Sequence, residues 1–111
     1  MLKTILTAIS ILAIALCNFL TPVFALDADS GAKIFQANCA GCHANGGNIV
    51  RRGKNLKLKA LQRNHVDNLD AAIELVTNGK NNMSAYKDRL SPQEIELVST
   101  YVLERAANNW Q

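Results

Sequence analysis

The chain has 111 residues, enough for one domain, with three cysteines and two histidines as its soft metal donors. Twelve Lys or Arg against nine Asp or Glu give a net charge of +3, too small a basic excess to mark a nucleic-acid-binding protein.

The N-terminal stretch does not read as part of that domain. Lys3 gives a short positive start, residues 5–20 form an almost unbroken apolar run, Pro22 follows, and Val23-Phe24-Ala25 is a small-residue cleavage site. Residues 1–25 are therefore expected to be a cleaved export signal, leaving a domain of residues 26–111 with no permanent membrane anchor. Cys17 lies inside the leader, and Leu16 before it fits a lipoprotein site poorly. Loss of Lys3 lowers the net charge of the mature chain from +3 to +2.

No segment alternates at period two, so the domain is expected to be all-α, with about four helices. The first should run from Asp29 or Ser30 to Asn38, with Ile34 and Phe35 facing inward. A Gly- and Asn-rich loop follows over residues 44–56. Leu56, Leu58 and Leu61 mark a short helix, and residues 67–78 a clearer one, with Leu69, Ile73 and Val76 at helical spacing and Gly79 placed to end it. The last helix has the strongest local signature. Ser91 caps it, Pro92 takes the first helical position, and Glu94 completes a capping box. Its stripe of Ile95, Val98 and Val102, widened by Leu97 and Tyr101, should pack across the first helix.

The chemistry sits in Cys39-Ala40-Gly41-Cys42-His43, a spacing that reads as a covalent haem c attachment site. Each cysteine bonds one vinyl group on the same haem edge, and the adjacent imidazole of His43 reaches the iron. A structural zinc would need four protein ligands, and outside the motif the chain offers only Cys17 and His65. A dithiol redox site would place its first cysteine at a helix N-terminus, whereas here a helical pattern runs into the motif. A disulfide between residues three apart would add little stability.

For the second axial position Met83 is the sole methionine of the mature chain and lies in an irregular stretch, residues 81–88, from which its sulfur can cover the other haem face. His65 is the alternative ligand. His/Met ligation raises the reduction potential, and bis-His ligation would lower it. With both axial positions filled the site suits a one-electron carrier and not an enzyme. The competing reading is a haem-based redox or ligand sensor with a displaceable sixth ligand. Thioether formation needs reduced thiols beyond a membrane, so motif and leader agree on a thylakoid lumen or a periplasm-like space. A domain this small buries only about 60% of its unfolded surface, so the haem should act as its staple and the haem-free chain should be largely unfolded.

The order of these features resembles the class I c-type cytochromes, and most closely the cytochrome c6 family. The marks are Gly31-Ala32-Lys33-Ile34-Phe35, Ala37-Asn38-Cys39-Ala40, Cys42-His43-Ala44, Thr77-Asn78-Gly79-Lys80, Arg89-Leu90-Ser91, Tyr101-Val102-Leu103 and Trp110. The resemblance implies a small class I cytochrome c fold around one haem, thioether links at Cys39 and Cys42, and axial ligands His43 and Met83. It implies a monomeric carrier from the cytochrome b6f complex to photosystem I or a terminal oxidase. The chain departs from the family in three places. Leu75 stands where a Gln is usual, Met83-Ser84-Ala85-Tyr86 replaces Met-Pro-Ala-Phe, and the region before the third helix is shorter. An apolar Leu75 should lower the potential, as in a low-potential paralogue.

Charge is unevenly spread. Arg51, Arg52, Lys54, Lys57, Lys59 and Arg63 occur with no acid between residues 44 and 66, and Asp67, Asp70 and Glu74 follow. This basic run, with Arg89, is expected to steer transient docking to an acidic partner surface.

Overall fold

A computed structural model describes the backbone of residues 23–111 and the side chains from Asp29 onward. The apolar run of residues 5–20 and Cys17 lie outside the described residues. Five α-helices follow in order: α1 (Val23–Asn38), α2 (Ala40–His43), α3 (Leu58–Arg63), α4 (Leu69–Asn78) and α5 (Pro92–Ala107). Two 3-10 turns, Ala44–Gly46 and Arg52–Lys54, lie in the loop between α2 and α3. Among the described residues there is no strand; one isolated antiparallel bridge joins Lys80 and Met83. None of the described helices is long and apolar enough to cross a membrane.

The start of α1 and the number of helices differ from the sequence expectation. α1 begins at Val23, upstream of Asp29, because Val23-Phe24-Ala25-Leu26 is compatible with helix and directly precedes the amphipathic turns. Residues 40–43 of the Cys-x-x-Cys-His motif form the short α2, which gives five helices among the described residues against the about four expected.

α5 forms as its sequence dictates. Ser91 Oγ accepts from Glu94 N at 3.2 Å, and Glu94 Oε1 accepts from Ser91 N at 3.0 Å, a closed capping box worth about 1 kcal/mol. Asn68 caps α4 by accepting from Ala71 N at 3.0 Å, so helical geometry starts at Leu69 and not at Asp67. Gly79 ends α4 at φ 67°, with its N–H donating to Leu75 O at 2.8 Å.

The frame is the crossing of α1 over α5, with α4 packed on α5. The crossing is close because Gly31 has no side chain: a β-carbon there would stand 2.8 Å from both Leu97 O and Tyr101 Cβ. One turn on, Phe35 is buried between two aromatic rings, with centroids 5.3 Å from Tyr101 and 5.3 Å from Trp110. Trp110 then donates from Nε1 to Leu56 O at 2.9 Å, which fastens the loop between α2 and α3 to the C-terminus.

Among the described residues the buried apolar set is small: Phe35, Ala60, Leu61, Ala72, Leu90, Ile95, Val98 and Ala106, three of them alanines. Val102 and Leu97 of the expected stripe are only half-buried, whereas Ser99 is buried at 1% exposure. Ile49 and Val50 stay 76% and 56% exposed. This core is small for a domain of its length.

Candidate functional site

α1 ends where Cys39 N donates to Phe35 O at 2.8 Å. The chain then turns, and Cys39 O accepts from both Cys42 N at 3.1 Å and His43 N at 2.9 Å. That single turn of α2 brings Cys39, Cys42 and His43 to the wall of one cleft. No disulfide joins Cys39 and Cys42. Burial pushes the Cys39 thiol up from 9.0 to about 11, so it is protonated at neutral pH. A thiol–disulfide exchanger needs the opposite shift.

The imidazole of His43 is fixed by its neighbour. Nδ1 lies 2.7 Å from Gly47 O. A carbonyl can only accept, so Nδ1 carries the proton and Nε2 keeps the lone pair that a metal requires. Gly47 is held in turn by its own N–H, which donates to Ala44 O at 3.0 Å.

The rest of the loop builds a polar rim. Asn48 Oδ1 accepts from Val50 N at 2.9 Å and Arg51 N at 2.8 Å, while its amide donates to Lys54 O at 3.0 Å. Lys54 Nζ donates to Asn64 Oδ1 at 2.5 Å. Asn48, Arg51, Lys54 and Asn64 all line the cleft.

The far end of the chain supplies Met83. Lys80 N donates to Met83 O and Met83 N donates to Lys80 O, each at 3.0 Å, a tight turn with Asn81 at φ 52°. The turn packs directly on Gly79, where a β-carbon would meet Met83 O at 2.5 Å. That contact is a physical reason for glycine after Thr77-Asn78. Met83 lines the same cleft as Cys39, Cys42 and His43, with Leu75, Val50, Val66 and Tyr86. His65 is exposed, at φ 58°, and is not part of the lining. Arg89 is exposed, 5.1 Å from the centroid of the Tyr86 ring, and also stands outside the lining.

The cleft holds ≈ 1110 Å³ of empty space, part of it open to solvent. No carboxylate lines it, and no cluster of three His, Cys, Asp or Glu occurs among the described residues. This donor set does not suit a hard cation or a structural zinc. It does suit a flat apolar macrocycle: two reduced thiols for one edge, an imidazole and a thioether for a central metal, apolar walls, and an amide and cationic rim for peripheral carboxylates. The sequence singled out Cys39, Cys42, His43 and Met83, which line this one cleft. It did not reveal Gly47 O, Asn48, Asn64 or Val66, because a backbone carbonyl and loop side chains carry no periodicity; the Gly-Gly-Asn run was the available turn signal.

Comparison with known proteins agrees with this chemistry. A family model described as "Cytochrome C oxidase, cbb3-type, subunit III" matches residues 26–102. A cytochrome c6-like protein of Nostoc sp. strain PCC 7120 is 57% identical over 90 residues, covering 81% of this chain and 81% of that protein. Cytochrome c6 of Synechococcus sp. strain PCC 6312 is 46% identical over 110 residues, covering 98% of each chain. Among solved structures, cytochrome c6C from Synechococcus sp. PCC 7002 superposes with a TM-score of 0.70 at 58% identity, over 71% of this chain and 96% of that one.

Proposed function

The chain belongs to the cytochrome c6 family, and on that premise we propose that Cys39 and Cys42 bind its haem covalently, that His43 and Met83 are the axial ligands, and that it works as a diffusible carrier in a thylakoid lumen or periplasm-like space. One covalently bound haem c is the cofactor of this family and of this chain, and electron transfer is its work. The observation that carries the site assignment is the convergence of these four side chains, 44 positions apart in sequence between Cys39 and Met83, on one cleft.

When bound, the haem supplies a one-electron redox couple. The protein's contributions follow from its own atoms. Cys39 and Cys42 would hold the haem by thioethers, each formed by adding its S–H across a vinyl group, with the S–H and the vinyl π bond exchanged for C–S and C–H bonds. The Nδ1–H donation to Gly47 O orients the His43 ring and keeps Nε2 basic. The Gly47 carbonyl that holds His43 and the Lys80–Met83 turn that holds Met83 would limit the movement of both ligands during electron transfer. Met83 as a ligand, in place of a second imidazole, would favour the reduced state and a higher potential.

The partners in this reading are the cytochrome b6f complex as donor and photosystem I or a terminal oxidase as acceptor. The basic run supports it: Arg51 and Lys54 sit on the cleft itself, and Arg52, Lys57, Lys59 and Arg63 are exposed nearby in the chain. The test is the visible spectrum of the purified exported protein. Sharp Soret and α bands that survive acid-acetone extraction are expected, and Met83→His should lower the potential. A chain stripped of colour by that extraction has no thioether links. Ready carbon monoxide binding by the reduced protein would instead identify a haem-based sensor with a displaceable sixth ligand.

A further inference from the structure

Asn38 is the last residue of α1. In an unbroken helix its carbonyl would accept from Cys42 N, but that N–H turns to Cys39 O at 3.1 Å. The kink at Cys39 therefore leaves a carbonyl beside the first attachment cysteine without its helical donor. Tyr86 supplies one from 48 residues away: its hydroxyl donates to Asn38 O at 3.0 Å.

The rest of Tyr86 is equally constrained. Its N–H donates to Val76 O at 3.0 Å, and its carbonyl accepts from Arg89 N and Leu90 N, both at 2.9 Å. Its ring faces the cleft beside Met83, with the Arg89 guanidinium 5.1 Å from the centroid. Only Ser84 and Ala85 separate it from Met83, and no proline stiffens residues 79–90. Ser84 itself is exposed. The segment that presents the sulfur is thus fixed at one end by the Lys80 turn and at the other by Tyr86.

We propose that Tyr86 is the positioning residue for the sixth iron ligand: its hydroxyl clamps the Met83 segment to the end of the helix that carries the attachment motif. The inference rests on Met83 being that ligand. The clamp resists displacement of the sulfur by an outside ligand, because swinging Met83 away costs the hydroxyl its acceptor and re-exposes the Asn38 carbonyl.

The test compares wild-type holoprotein with Tyr86→Phe, which keeps the ring and removes only the hydroxyl. Trp110→Phe serves as a matched control; it deletes a different hydrogen bond, to Leu56 O, by a residue outside the cleft lining. Imidazole is titrated into each ferric protein, and the methionine–iron charge-transfer band reports sulfur on the metal. Tyr86→Phe should bind imidazole about fivefold more tightly, the factor expected for one neutral hydrogen bond, while Trp110→Phe matches wild type. Equal affinity in Tyr86→Phe and wild type overturns the inference, as does an equal gain in both variants, which would mark general loosening. Should Tyr86→Phe not accumulate, the Tyr86 hydroxyl proton in wild type decides by nuclear magnetic resonance: slow solvent exchange supports the clamp, and fast exchange overturns it. A wild-type protein without the charge-transfer band overturns the Met83 assignment itself; a band present throughout with unchanged imidazole binding overturns the clamp alone.

Discussion

The indole of Trp110 occupies the volume that a β-carbon on Gly46 would need, in direct contact with that ideal position. Gly46 also has φ 75°, a conformation that costs an L-residue about 1–2 kcal/mol. Gly46→Ala should therefore destabilise the holoprotein by about 2–4 kcal/mol, the conformational strain plus overpacking. In a Trp110→Ala background the same change should cost only the strain. Denaturant unfolding of the four proteins gives the coupling; strictly additive losses would show that the two residues do not compete for space.

Ser99 is 1% exposed in the middle of α5, and its Oγ has no hydrogen-bond partner. A buried hydroxyl left unpaired costs more than it contributes, and alanine is the better helix former. Ser99→Ala should raise stability by up to about 1 kcal/mol, read as a higher denaturation midpoint at unchanged slope. A loss of similar size would reveal a partner for that hydroxyl.

Among the described residues only eight apolar side chains are buried, three of them alanines, a small core for a domain without its haem. Purified without cofactor, a Cys39→Ser, Cys42→Ser double variant should show weak helical circular dichroism and no cooperative melt. A sharp thermal transition would mean that the α1–α5 crossing and the Phe35–Trp110 contact suffice.

The sequence carried most of the frame because its signals were local. The Ser91-Pro92-Glu94 cap and the Gly79 stop are each set within four residues, and the structure reproduces them. The grouping of Cys39, Cys42 and His43 was legible for the same reason: one helical turn sets their positions. What escaped was non-local. The Gly31 notch against Leu97 and Tyr101, the lock of Trp110 on Leu56 O and the reach of Tyr86 to Asn38 O join residues 48 to 70 positions apart in the chain. No periodicity encodes such pairs. Ser99 was missed because a polar residue on an apolar face reads as solvent-facing until the packing of α5 is known.

Leu75 lines the cleft, half-buried, where the family resemblance leads one to expect Gln. An amide there can donate toward the redox centre and favour its electron-rich, reduced form; a leucine cannot. Leu75→Gln should raise the reduction potential, with a shift of about 60 mV corresponding to a tenfold change in the one-electron equilibrium. Potentiometry showing no rise would remove Leu75 as the cause of any low potential in this chain.

The cations outside the cleft lining allow docking to be tested without touching the haem site. Arg52, Lys57 and Lys59 are exposed and line no part of the cleft. Steering by such charges acts on the encounter and is screened by salt, so it should vanish when the Debye length contracts to about 3 Å near 1 M. An Arg52→Gln, Lys57→Gln, Lys59→Gln variant should exchange electrons with an acidic redox partner about tenfold more slowly at low ionic strength. Its rate should converge on wild type at high salt, because the driving force and the site are unchanged. Stopped-flow traces across a salt series measure both limits. Equal rates at low salt would reduce the basic run to a solvated face, whereas a deficit that persists at high salt would mean these residues touch the partner directly instead of steering it.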